Sequence, residues 1–413
     1  MATSMFWSRN LLPNGLRVLL FPRESANASQ LSVAVKYGSN DEPEEIAGSA
    51  HFLEHMVAGG STKRIQLSRS IENSGGILDF YTEREYMMTT INTLPSAVAE
   101  ESLIISKLIF DKCFEEEKFN QERKIILNEL SEASDDPTEK VEELLLKTLF
   151  KMHPMKRPVG GFPKTVKRLS LDKLSYAYEE NYVPQNMILI LTGNFSEKTA
   201  KEVLEEFGSK TADKTFSVKA NAVESGKPKP LVVEKKAGLA QTYLSIGART
   251  VCSNHKDGPT LDLISTILSG GASSRLFIEL REKNALTYDV TSDHNMGVDW
   301  GYFNVNCAVK NKNLAKAKDL IVEEFSKLRS QKVPLNEIER SKNLIIADIL
   351  RCMDNPQQSS DVLAYMEMQF NDEKSLVNYI AGLKNVSDEN IIDAANTYLK
   401  EDCFSTVLLK PKN

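Results

Sequence analysis

The stretch LSVAVKYGSNDEPEEIAGSAHFLEHMVAGG, Leu31–Gly60, can be laid over TYLSIGARTVCSNHKDGPTLDLISTILSGG, Thr242–Gly271, at a constant offset of 211. In both copies alternating branched residues give way to turn formers, then to small and apolar residues at helical spacing that end in a glycine pair. A looser echo follows, QERKIILNEL at 121–130 against IERSKNLIIADIL at 338–350. The chain therefore reads as a duplicated fold. Three polar residues break the match: His51, Glu54 and His55 become Asp262, Ser265 and Thr266. A scaffold that persists while its polar cluster is lost assigns the cluster to chemistry rather than packing.

Around the first copy, GLRVLLFP and QLSVAVKYG read as strands, the first preceded by a Pro-Asn-Gly turn. A helix carries the histidines and a second begins near Lys63. GGILDFYTEREYMMTTINTL, Gly75–Leu94, alternates as a strand or a tight strand pair, and YVPQNMILILTGNFS holds a closing buried strand. The fold class is α+β. Gly, Pro and polar residues mark a linker, which sets domains at 1–215 and 230–413 with the linker at 216–229.

A length of 413 residues exceeds what one core usually accommodates, in keeping with two domains. Apolar residues make up 41% and charged residues 26%, with a net charge of -6 and no long block of one sign, which disfavours a nucleic-acid partner. No run is long and apolar enough to span a membrane, and the start lacks a secretory pattern. Five cysteines, odd in number and widely spaced, read as reduced thiols, so the expected compartment is the cytoplasm.

Residues four apart on a helix are neighbours, so His51 and His55 can offer two imidazoles to one ion. Zinc in a catalytic site takes three protein ligands and keeps a fourth position open. Candidates for the third are Glu122 and Glu129, seven apart and on one helical face beside an apolar stripe of Ile125, Ile126 and Leu130; one can ligate while the other supports a histidine from behind. Glu54, beside the pair, has the place of a base for a water that the metal acidifies. The order H-x-x-E-H is a known metallopeptidase signature. His153, His255 and His294 have no such spacing.

With these motifs the sequence resembles the pitrilysin-type inverzincin metallopeptidases, in particular the short two-domain branch that includes the mitochondrial processing peptidase β subunit and its prokaryotic relatives. The resemblance implies two homologous domains of the processing-peptidase type, each a mostly antiparallel sheet packed with helices. It assigns His51, His55 and Glu129 as ligands of one Zn2+ per chain, Glu54 as base and Glu122 as the auxiliary glutamate. The stretch ENSGGILDFYTEREYMMTT resembles the edge strand on which the family binds an extended peptide, placing Gly76, Asp79, Phe80, Tyr81 and Thr82 at the substrate. The family usually has Asn-Ala where this chain has Asp79-Phe80. GGASSRLFIELREKNALTYDV resembles the segment whose arginine and tyrosine complete the active site, here Arg281 and Tyr288.

The implied function is a zinc metalloendopeptidase for extended or unfolded peptides. Full-length relatives close a chamber from four such domains and this chain holds two, so a partner is expected. Because the chain carries both the zinc cluster and the arginine-tyrosine pair, a homodimer is favoured over a heterodimer with a related subunit. Two other readings share the fold: a processing peptidase dedicated to one precursor, which Asp79-Phe80 invites, and a non-catalytic core subunit, whose usual sign is loss of the zinc cluster.

Overall fold

A computed structural model describes residues 7–211, 221, 222, 224 and 226–412; of the expected linker, 216–220, 223 and 225 lie outside the described residues. The chain forms two compact units. The first comprises Met1–Ser131, Arg157–Asn221 and Leu350–Glu373, the second Glu132–Lys156, Ala222–Ile349 and Lys374–Asn413.

In the first unit, strands β1 (Ser8–Leu11), β2 (Arg17–Pro22), β3 (Ser29–Val35), β4 (Ile77–Thr82), β5 (Met87–Thr93) and β6 (Met187–Gly193) form one sheet in the order β1-β2-β6-β3-β5-β4. Only β2 and β6 pair in parallel. Every residue of β3 and β6 is buried, as expected of strands covered on both faces. One face meets the main core. On the other lies the helix Pro356–Phe370, where Ser360 bonds Ser32 at 2.8 Å and Thr192 donates to the Pro356 carbonyl at 2.6 Å. These partners explain why hydroxyls interrupt an otherwise apolar sheet.

Helices α1 (Ser49–Gly59) and α2 (Thr62–Asn73) come between β3 and β4, and α3 (Val98–Phe110) and α4 (Glu116–Asp135) between β5 and β6. Phe52, Leu53, Met56 and Val57 turn α1 into the core, leaving His51, Glu54 and His55 on its other side. Phe52 stacks on Phe119 of α4, centroids 4.9 Å apart. On α4 the spacing Phe119, Glu122, Ile126, Glu129 is one helical stripe, and its two apolar members are buried. Ile125, expected in the apolar stripe, is instead exposed. Arg64, fully buried on α2, donates to the carbonyls of Val57, Leu108, Asp111 and Cys113, tying the end of α1 to the end of α3.

The second unit repeats the plan. Strands β7 (Leu231–Lys236), β8 (Thr242–Arg249), β9 (Val290–Met296), β10 (Gly301–Val309) and β11 (Phe404–Pro411) run in the order β7-β11-β8-β10-β9, again with one parallel pair, β7 with β11. This matches β2-β6-β3-β5-β4 strand for strand, and the helix Gly258–Ser269 follows β8 as α1 follows β3. Helix α5 (Pro137–Leu149) packs here, with Leu145 against Gly247, where an added Cβ would lie 2.8 Å from Leu145. The fold is α+β with two mostly antiparallel sheets, as the sequence implied. Among the described residues no helix is long and apolar enough to cross a membrane, and all five cysteines are free.

Candidate metal centre

Helix α1 starts without a side-chain cap of its own. Its N-cap is Gly48 at φ 94°, where an added Cβ would lie 2.5 Å from the Gly160 carbonyl oxygen. Glu42 supplies the missing acceptors: Oε2 accepts from the Gly48 N–H at 2.8 Å and Oε1 from the Ala50 N–H at 2.6 Å. The carboxyl is buried, and burial raises its pKa to about 7 despite those bonds and the nearby Arg157. Arg157 donates to the carbonyls of Ser39 and Glu42, fixing the loop that carries Glu42.

From this anchored helix His51 and His55 project together, ring centroids 4.8 Å apart and nearly perpendicular. The Glu129 Oε2 atom lies 3.8 Å from His51 Nε2 and 3.4 Å from His55 Nε2. One donor atom from each of the three residues falls within 4.8 Å of the others. Glu122 Oε2 lies 3.0 Å from the opposite ring nitrogen, His55 Nδ1. The Glu129 side chain is 44% exposed and that of Glu122 16%, so Glu129 faces the open side and Glu122 backs the ring. The stripe on α4 thus separates the two glutamates that spacing alone left equivalent.

Two imidazole nitrogens and one carboxylate oxygen are the three-ligand donor set of a catalytic zinc site, so these residues fit the ion. Burial and the neighbouring His55 lower the His51 pKa to about 4, leaving a neutral ring with a lone pair to give. Burial also pulls His55 down, but its bond to Glu122 and the charges of Glu129, Glu54 and Glu122 outweigh it and raise the net value. Among the described residues His51 Nδ1, buried beside Gly160, has no hydrogen-bond partner.

Glu54 lies on the same side of α1, and Thr82 at the end of β4 donates to its Oε2 at 2.6 Å. Burial, which outweighs that bond and the nearby His55, raises the Glu54 pKa. Among the described residues β4 is the edge strand of its sheet, so one backbone edge is left without a strand neighbour. Its other expected substrate residues differ in setting. Gly76 leaves no room for a side chain, since an added Cβ would lie 2.6 Å from Ile71 and 2.7 Å from Glu101. Asp79 is exposed, Phe80 is half-buried against the core, and the Tyr81 hydroxyl donates to Asp361 at 2.8 Å. The sequence reading missed Glu42 and Asp361.

Arg281 and Tyr288 belong to the second unit. Arg281 lies in the π-helical segment Phe277–Lys283, its guanidinium carbon 4.8 Å from the Phe277 ring and 4.5 Å from that of Tyr288. Tyr288 is 82% exposed. At the duplicated position the described residues of the second unit hold no such donor set: Asp262 lies 2.7 Å from His294 Nδ1 and accepts from the Tyr379 hydroxyl, while Ser265 donates to the Ser292 carbonyl.

The sequence model described as "Insulinase (Peptidase family M16)" matches residues 17–161, and "Peptidase M16 inactive domain" matches 168–345. The uncharacterised zinc protease YmxG of Bacillus subtilis is 25% identical over 400 residues, 96% of this chain and 97% of that protein. Among solved structures, a protease from Helicobacter pylori aligns with a TM-score of 0.89 at 22% identity, covering 98% of this chain and 99% of that one. A putative M16-like peptidase from Alicyclobacillus acidocaldarius aligns with a TM-score of 0.90 at 19% identity, covering 98% of each chain.

Proposed function

The chain belongs to the pitrilysin-type M16 peptidase family, and on that premise we propose that it is an active zinc metalloendopeptidase that cleaves internal bonds of extended or unfolded peptides. One observation carries the reading: His51, His55 and Glu129 converge while Glu54 is held beside them by the edge strand β4. Bound zinc supplies Lewis acidity to a water molecule and to the scissile carbonyl.

The protein's own groups do the rest. His51, His55 and Glu129 would hold the ion, and Glu122 at Nδ1 keeps the His55 ring in the orientation that presents Nε2 to Glu129. An extended substrate adds to β4 through backbone pairing, which gives affinity without demanding one sequence. The bond from Thr82 holds Glu54 where it can take a proton from the attacking water and return it to the leaving amine. Arg281 and Tyr288 offer a cation and a phenolic donor to the substrate carbonyl when the chamber closes, and a homodimer in the cytoplasm is the assembly we assign to that chamber. Treating the purified protein with a chelator and then restoring zinc tests the reading. Cleavage of an unstructured peptide should disappear and return; cleavage that survives full removal of the metal contradicts it.

A further inference from the structure

We propose that a cavity beside Arg281 and Tyr288 is an anion subsite that takes a carboxylate of a peptide; the inference rests on the peptidase reading above and extends it to substrate choice. The cavity, of about 670 Å³, has Arg281, Lys310, Lys312 and Lys316 in its wall and no acidic residue. Among the described residues none of these four cations is engaged in an ion pair, and the three lysines are exposed.

Their placement opposes stability. Lys316 lies in the first turn of the helix Leu314–Ser330, which has no acidic residue there and whose N-cap, Asn313, makes no side-chain cap bond. A cation at a helix N-terminus is set against the helix dipole, and Lys310 and Lys312 add like charge next to it. Departures from such local rules are expected at functional or strained positions. Here an anion supplies the compensation. Arg281 is placed to receive it: its guanidinium carbon lies 4.8 Å from the Phe277 ring centroid and 4.5 Å from that of Tyr288, and among the described residues no hydrogen bond or ion pair takes up its N–H groups, which suit a planar carboxylate.

A neighbouring cavity identifies the anion as part of a peptide. Gln241, Thr287 and Tyr288 also line a second space of about 290 Å³ whose wall includes Val141, Leu244 and Cys307 and one carboxylate, Asp289. A cationic pocket sharing a wall with a more apolar slot suits an acidic residue and an apolar neighbour on one extended chain, whereas a small inorganic anion has no use for the slot.

The test is fluorescence anisotropy on the full-length Glu54→Gln protein loaded with zinc, with peptide integrity checked by mass spectrometry. The probes are short labelled peptides with Glu-Leu or Gln-Leu at their centre, each made as the C-terminal acid and as the amide. Exposed charge pairs are individually weak, so the expected preference for a carboxylate is about tenfold at low salt, shrinking as salt rises. It should shrink to about two- to threefold, the part left to Arg281, in the triple variant Lys310→Ser, Lys312→Ser, Lys316→Ser and persist in full in the corresponding triple Lys→Arg variant. The peptide pair that shows the preference tells whether the side chain or the chain end is taken. Equal affinity for all four peptides, or a preference undiminished in the serine variant with normal zinc content, overturns the proposal. Charge-selective binding by a protein whose wild type cleaves nothing would end the peptidase reading alone; cleavage without charge selectivity would end this one alone.

Discussion

Glu122 and Glu129 lie on the same stripe of α4 yet touch opposite sides of the His55 ring, and that difference separates their roles. Glu129→Gln replaces a charged oxygen in the donor set, so zinc content after dialysis should fall well below one per chain, as measured by atomic emission. Glu122→Gln leaves the three donors in place and weakens only the hold on Nδ1, so zinc affinity should drop about 10–100-fold, with near-full occupancy recovered at high zinc. Equal loss in both variants at saturating zinc would remove the distinction. At this scale helical spacing put His51 and His55 on one face and glutamates 122 and 129 on another. Spacing did not choose between the glutamates, because residues seven apart are equivalent until the packing partner is known. Asp361, the partner of Tyr81, was illegible because the contact spans 280 positions and nothing local to either residue announces it.

Helix α1 is held at its start by backbone and carboxylate rather than by a capping side chain. Gly161 sits at φ 73°, and an added Cβ would lie 2.3 Å from the Ala47 carbonyl oxygen. Gly161→Ala should therefore cost roughly 1–3 kcal/mol, read as a lower thermal midpoint, because an unfavoured backbone conformation is combined with a clash against backbone. Glu42 gives a pH dependence whose sign follows from its burial. Its carboxyl has a pKa raised from 4.5 to about 7 in the folded protein, so the folded state binds more protons across that window. Stability from this group is fully present below pH 4.5 and is lost as pH rises through 7, by roughly 3 kcal/mol. Thermal midpoints measured across that range should fall less steeply in Glu42→Gln than in the wild type; parallel curves would contradict the assignment. The helix itself was legible from its apolar period, and its glycine pair marked the end. The start was not, because an acceptor six residues ahead of Gly48 has no fixed offset by which to find it. Strand β1 also went unread, since all four of its residues are exposed and it lacks the alternation that marks a half-buried strand.

At the scale of the whole molecule the duplication was the most legible feature, because a constant offset of 211 preserves apolar period and glycine punctuation together. Which core a given helix joins was less so: α5 is amphipathic whichever sheet it covers, and its place in the second unit depends on the space left by Gly247. The proposed homodimer should appear in light scattering at about twice the chain mass of 46.2 kDa, and activity per chain should decline on dilution below the dimer dissociation range. A monomer with undiminished activity would remove the chamber from the account. The central claim is that this chain is a zinc peptidase with Glu54 as its base, and the most direct measurement compares wild type and Glu54→Gln for zinc content and for cleavage of a mixed library of unfolded peptides. The account predicts about one zinc per chain in both proteins and a rate at least about 100-fold lower in the variant, the contribution expected of a general base. Full cleavage by a zinc-loaded Glu54→Gln protein would contradict it.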